Sequence, residues 1–256
     1  MPATGMLNKS RIARALLVPF GLGGLLWGSF SLPTFRALAP AQEVTKRIMA
    51  YDRFKLGALA AIRAQLEAYS NLRMQHPDAV RARALVDLRV SEEMMGRNGP
   101  VVEIDGALEA AGTSVRSSLE LTPADSFLWL MLYSVETMRN GFNPCSIEHL
   151  DQSYALGPYE GWIALRRNRL ALSIFSMLNE VGQQKAIAEF AAILDSNFIE
   201  QAELNLTSVG WEQREQLLAG LERVDITSRE AFAKRLARDG VKVSVPGVEL
   251  DERWQR

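Results

Sequence analysis

The densest grouping of residues able to do chemistry is basic. Arg166, Arg167 and Arg169 stand together in GWIALRRNRLAL, and Arg139 ends the apolar run before it. Positions 166 and 169 share one face of a helix, where planar guanidinium groups can pair with a carboxylate or a phosphate on a partner. The plainer alternative is a solvated face balanced by Glu160 or Glu136, and exposed pairs of that kind contribute little. Aromatic residues form the second grouping, with Trp129, Tyr133, Tyr154, Tyr159 and Trp162 placed around Pro123 and Pro158. Such side chains either line a groove that takes a peptide or a sugar or, more commonly, fill a core. Together these groupings nominate Arg139, Arg166, Arg169, Tyr159 and Trp162 as a partner-binding surface.

Other chemistries find little support. Cys145 and His149 are four residues apart and share a helix face, but nothing else completes a metal site that needs three or four ligands. The chain has one Cys and two His, which excludes an intrachain disulfide and any cysteine-rich or histidine-rich zinc site. His76 precedes Pro77 and reads as a turn residue. Glu92, Glu93, Glu200 and Glu203 have no recognisable acid–base partner, and no Gly-rich phosphate loop, Gly-x-Ser-x-Gly or His-Glu-x-x-His is present. The expectation is therefore a binding protein with no cofactor, no metal and no catalytic residues. With 29 Lys and Arg against 30 Asp and Glu, the chain also has no overall basic field with which to hold nucleic acid.

Ahead of the elements that would carry these groups, residues 1–14 hold Lys9, Arg11 and Arg14 and no acid. Ala15 to Phe35 then runs 21 residues without a charge. A helix of that length, at about 1.5 Å per residue, just crosses a hydrocarbon core of roughly 30 Å. A retained transmembrane anchor is the expectation; a signal peptide cut after Ala39-Pro40-Ala41 and a buried soluble helix are the alternatives. A short basic flank with nothing translocated before it favours the amino end inside, with the bulk of the chain periplasmic at a bacterial inner membrane.

Residues 42–240 read as one helical unit. A stripe over 42–70 is followed by a break at Gln75-His76-Pro77-Asp78, a helix over 78–96 capped by Asp78, a turn at Arg97-Asn98-Gly99-Pro100 and a helix over 103–120. Further helices are expected over 127–139 with Asp125 or Ser126 as cap, over 145–156, from Pro158 to about Leu178, over 184–197, over 208–223, and over 228–238 with Thr227 or Ser228 as cap. Residues 241–256 form an extended tail.

Two runs end on Leu-x-Pro, at Leu121-Thr122-Pro123 and Leu156-Gly157-Pro158, and an aromatic follows each proline by four residues, Phe127 and Trp162. The prolines are 35 residues apart. On this pattern residues 92–178 resemble the tetratricopeptide repeat, with Gly99 and Ala111 on the small positions of one unit and Ser134, Ser146 and Ser153 on those of the next. The chain departs from the family in lacking its first-helix Trp and Tyr at their places, and residues 159–200 have no closing proline. The resemblance implies an all-α antiparallel helix-turn-helix array, here preceded by one transmembrane helix. A single membrane helix with repeats of this kind is similar to proteins found beside bacterial envelope and polysaccharide-assembly machinery. The resulting expectation is a membrane-anchored scaffold for a protein partner, the membrane being reached through Ala15 to Phe35. An all-α enzyme acting on an envelope polymer, and a structural subunit packing through Gly21, Gly24 and Gly28, are the alternatives.

Overall fold

The computed structural model describes residues 17, 20–29, 41–49, 54, 57–70, 76–97, 99–158 and 160–249. Among them the chain is all-α. The helices gather into two compact units, Met1–Pro100 and Val101–Arg256.

In the first unit, residues 20–29 and 41–49 are helical. They are followed by α1 (Ala58–Ser70) and α2 (Pro77–Gly96). The Pro77 ring presets the first helical φ, and His76 caps the end: its Nδ1 accepts from the Asp78 amide at 3.3 Å, so the cap is His76, two residues before the expected Asp78. Ala41, Val44, Leu59, Leu66, Ala82 and Val86 form a common apolar cluster. Beside it sits buried Asp87, whose carboxylate meets Arg63 at 3.2 Å and Arg83 at 3.8 Å. Residues 20–29 differ in kind: Phe20 and Trp27 are 85% and 77% exposed. No described helix is long and apolar enough to cross a membrane; residues 15, 16, 18, 19 and 30–35 of the expected anchor lie outside the described residues.

The second unit carries α3 (Val101–Leu121), α4 (Ser126–Asn140), α5 (Ile147–Leu156), α6 (Gly161–Ser173), α7 (Glu180–Asp195), α8 (Ile199–Thr207), α9 (Arg214–Ala219) and α10 (Ile226–Arg238). Asp125 caps α4 by accepting from Phe127 and Leu128 at 3.1 Å. Phe127, Leu128, Leu130, Met131 and Val135 are then buried, making α4 the central helix of its region. Three expectations need correcting. Residues 199–207 are a helix of their own, α8, held by Ala202 and Leu206, which are fully buried. The segment 208–223 is a turn followed by the six-residue α9 and a 3-10 turn over Gly220–Arg223, because Ser208 leaves the helical region at φ −104°, ψ −94°. Asp225, rather than Thr227 or Ser228, caps α10 by accepting from the Thr227 amide at 2.8 Å.

The direction of packing follows from paired contacts. Arg167 of α6 meets Glu189 of α7, while Asn168 meets the Ala186 carbonyl, so these two helices run antiparallel. Asp151 meets Lys185 and Tyr154 meets Glu189, so α5 and α7 run parallel. Phe127 and Trp162, whose ring centroids are 4.9 Å apart, join α4 to α6.

Candidate functional site

The α6 stripe explains where its arginines go. Ile163, Ala164, Ala171 and Leu172 are buried, and the same helical face passes through positions 167 and 168. Arg167 is therefore the one arginine of the cluster that enters the core, and it is fully buried. A buried guanidinium is costly unless each of its donors is paired. Here all five are. Nε and one terminal nitrogen donate to Glu189 Oε1 at 2.9 and 2.6 Å, and that terminal nitrogen also donates to the Gly157 carbonyl at 3.1 Å. The other terminal nitrogen donates to the Ser153 carbonyl at 2.7 Å and to its hydroxyl at 3.1 Å. The Tyr154 ring covers the guanidinium at 4.2 Å, and its hydroxyl donates to Glu189 Oε2 at 2.9 Å.

This cluster reaches α4 and α8 as well. Ser126 Oγ donates to the Ser153 carbonyl at 2.8 Å. Asn168 donates to the Ala186 carbonyl at 2.8 Å and accepts from Asn205 of α8 at 3.0 Å. Gly157 sits where the segments cross: a Cβ there would lie 2.4 Å from Ser126 Oγ and 2.7 Å from its Cβ. Burial pushes the Glu189 carboxyl above the usual carboxylate range, outweighing the pull of Arg167 in the other direction. Burial also raises the Tyr154 phenol well above its usual range, reinforced by the neighbouring Glu189 charge.

Along one side of the cluster runs a groove of about 450 Å³. It is lined by Tyr154 of α5, by Pro158, by Gly161 and Ala164 of α6, by the α7 residues Lys185, Ala188, Glu189, Ala192 and Ile193, and by Ser196 and Phe198 beyond the end of α7. The lining is mostly apolar. Its polar groups are Tyr154, Glu189, Ser196 and Lys185, the last of which meets Asp151 at 3.8 Å on the surface.

The residues nominated from sequence fall in three places. Trp162, Arg166 and Arg169 occupy one face of α6, with Trp162 packed on Phe127, Arg166 half-buried and Arg169 exposed. Arg139 is engaged elsewhere, holding Asp105 at 3.0 Å and Glu109 at 2.9 Å on α3. Tyr159 lies outside the described residues. The groove residues Lys185, Ala188, Ala192 and Phe198 were not nominated, and neither was the buried set Arg167, Glu189 and Asn168. A signal for the buried set was present: Arg167 and Asn168 interrupt the apolar stripe of α6, and a polar residue on a core face needs a buried partner.

His149 is engaged by Glu136 and Trp129. His149 Nε2 is 3.1 Å from Glu136 Oε2, its ring stacks on Trp129, and Arg116 meets the other Glu136 oxygen at 2.6 Å. Among the described residues no group of three His, Cys, Asp or Glu side chains is placed to hold a metal ion.

No known protein family, no curated protein and no solved structure matches the chain.

Proposed function

We propose that this chain is a membrane-anchored helical-repeat scaffold that holds a protein partner in a bacterial envelope assembly, with polysaccharide synthesis or export as the setting. The observation that carries the binding role is the groove between α5, α6 and α7: it is open, mostly apolar and bordered by a few convergent polar groups, which is the usual make-up of a recognition site. The repeat reading rests on register. Phe127 and Trp162 pair at a separation of 35 residues, Tyr154 and Glu189 at 35, and Asp151 and Lys185 at 34. Parallel contacts between successive hairpins at nearly the same offset are what stacking of a helix-turn-helix unit requires. The anchor reading draws on the exposed apolar side chains of residues 20–29, within the charge-free stretch from Ala15 to Phe35. Affinity purification of the full chain from detergent-solubilised membranes tests the role. A protein recovered in stoichiometric amount, and lost when the groove is filled by Ala192→Trp, is expected; recovery of the chain alone would sink the scaffold.

A second reading, an all-α enzyme acting on an envelope polymer, has one observation in its favour: a buried carboxyl, Glu189, with a raised pKa beside a cleft. Glycoside chemistry asks for two carboxyls facing each other at roughly 5–10 Å, and among the described lining residues Glu189 is the only carboxyl. An exposed acid introduced at Ala188 would give no activity on the scaffold reading.

A further inference from the structure

The chain beyond α10 is tied down at its two ends and loose between them. Asp239 caps α10 and Gly240 reverses the chain at φ +76°, so the Val241 amide donates back to the Leu236 carbonyl at 2.8 Å. Residues 241–248 then run back along α10, because Arg229 in its first turn donates to the Pro246 carbonyl. Val245 is buried there, and Val245 to Val248 close a turn with Gly247 at φ +70°. Between those ends Lys242, Val243 and Ser244 make no backbone–backbone hydrogen bond among the described residues. A cavity of about 440 Å³ is lined by this stretch together with Ala237 and Gly240. A segment with an unpaired backbone and space beside it opens at low cost.

The tie at the Asp239 end is made of charges. Glu203 of α8 is buried; Arg235 donates through Nε to its Oε2 and reaches Glu200 at 3.8 Å. Asp239 is hydrogen-bonded to Glu203 and meets Arg238 at 3.7 Å. Two carboxyl groups bond to each other only when one of them carries a proton. Burial first, and then the bond to Asp239, raise the Glu203 carboxyl, whereas that same bond lowers Asp239, so the proton resides on Glu203. The charged groups around the pair are Arg235 and Arg238 from α10 and Glu200 from α8. The other helices packed on α8, namely α6 and α7, make no ion pair with Glu203 or Asp239 among the described residues.

From this arrangement we propose that residues 241–248 are a strap over the end of α10, latched by one proton held between Glu203 and Asp239. While Glu203 keeps the proton it donates to the Asp239 carboxylate and draws the α10 terminus onto α8. When the proton leaves, Glu203 keeps Arg235, so α8 and α10 stay joined. Two carboxylates then face each other, and Asp239 turns to Arg238 and solvent. The strap loosens from that end while Arg229 still holds Pro246. The latch is thus closed below the folded-state pKa of Glu203 and opens as pH rises through it.

A nitroxide label reads this directly in the full chain. It is placed on Ser244→Cys in a Cys145→Ser background, with a label on Glu230→Cys of α10 as control; Ser244 and Glu230 are both exposed. Between about pH 4 and about pH 8 the mobile spectral component at 244 should grow several-fold while the signal at 230 stays constant. In Glu203→Gln the amide donates to Asp239 at every pH, so the label at 244 should stay ordered throughout. Asp239→Ala should leave it mobile throughout. If Glu203→Gln loses its helical melting transition, Asp239→Asn, at a half-exposed side chain, carries the same expectation of an ordered, pH-independent label. Equal mobility at both pH values in the otherwise unaltered chain would overturn the proposal. So would a rise that persists in the Gln or Asn variant, or a label at 230 that follows the one at 244.

Discussion

The two helical hairpins α4–α5 and α6–α7 follow one plan and fill it differently. A shift of 35 residues carries Pro123 onto Pro158, Phe127 onto Trp162, Leu132 onto Arg167 and Tyr133 onto Asn168. Leu132 and Arg167 are both buried at this shared position. The first hairpin closes it with hydrocarbon, at no electrostatic cost. The second closes it with a guanidinium whose donors reach back to the carbonyls of Ser153 and Gly157 in the hairpin before it. Apolar contact holds a neighbour without fixing its orientation, whereas a fully paired guanidinium tolerates one arrangement. The difference thus separates a hairpin that packs from a hairpin that is placed.

The sharpest way to break that comparison is to exchange the two fillings. Leu132→Arg puts a charge into a site with no prepared acceptors and should prevent a cooperative fold of the second unit, seen as loss of the thermal transition by circular dichroism. Arg167→Leu or Glu189→Leu alone leaves the other ion buried and unpaired, and should cost about 3–5 kcal/mol in urea unfolding. The Arg167→Leu/Glu189→Leu pair should recover most of that loss, because a buried ion pair replaced by apolar residues is often nearly neutral. A double variant as unstable as the worse single one would mean that the carbonyls of Ser153 and Gly157 depend on Arg167 more than Glu189 does.

Gly157→Ala comes next. Its methyl would overlap Ser126, which must move within a buried hydrogen-bond set, and overpacking of this kind costs about 1–3 kcal/mol. Gly157→Ala/Ser126→Ala should regain part of it, and failure to do so would place the strain elsewhere.

A smaller effect concerns pH. Because Glu189 is raised in the folded chain, the folded state holds its proton more tightly than the unfolded state. Its contribution to stability is fully present below the usual carboxylate range and is lost as pH rises through the folded value. Glu203 is raised as well, chiefly by burial and by the hydrogen-bonded Asp239 beside it, while Asp225 is lowered by its bonds to Thr227 and Asp239 by its bond to Glu203; these last two act in the opposite sense. The wild type minus the Arg167→Leu/Glu189→Leu variant isolates Glu189, and unfolding free energies across pH 4–7 should show the difference shrinking as pH rises. A flat difference would remove the linkage. The smallest change is expected for Arg139→Ala, whose half-exposed pairs with Asp105 and Glu109 should leave the melting temperature within error at physiological salt.

The comparison also explains what the sequence could tell. Helix existence over 78–96, 103–120, 127–139 and 145–156 was legible because apolar periodicity there is unbroken and the caps are local. The α8 helix is not legible in the same way: its four buried residues include Glu203 and Asn205, so hydropathy alone draws no stripe. Stretch 208–223 carries a helical pattern that the backbone abandons at Ser208, where tertiary packing decides. At the site, chemistry was legible and direction was not: three arginines within four residues point to a basic surface only if none points inward. The small residues Gly161, Ala164, Ala188 and Ala192 carry no signal one at a time. They become a groove only when α5, α6 and α7 are set side by side.

One mechanical consequence follows from the way Arg167 is tied. Its bonds to Ser153, Gly157 and Glu189 clamp the end of α5, the following turn, α6 and α7 into a single body. That joint acts as a weld, and bending under load is left to connections closed by hydrocarbon alone. Amide hydrogens around the weld should be the last of the second unit to exchange, and a pull on the chain would reach Glu189 only after the softer joints had opened.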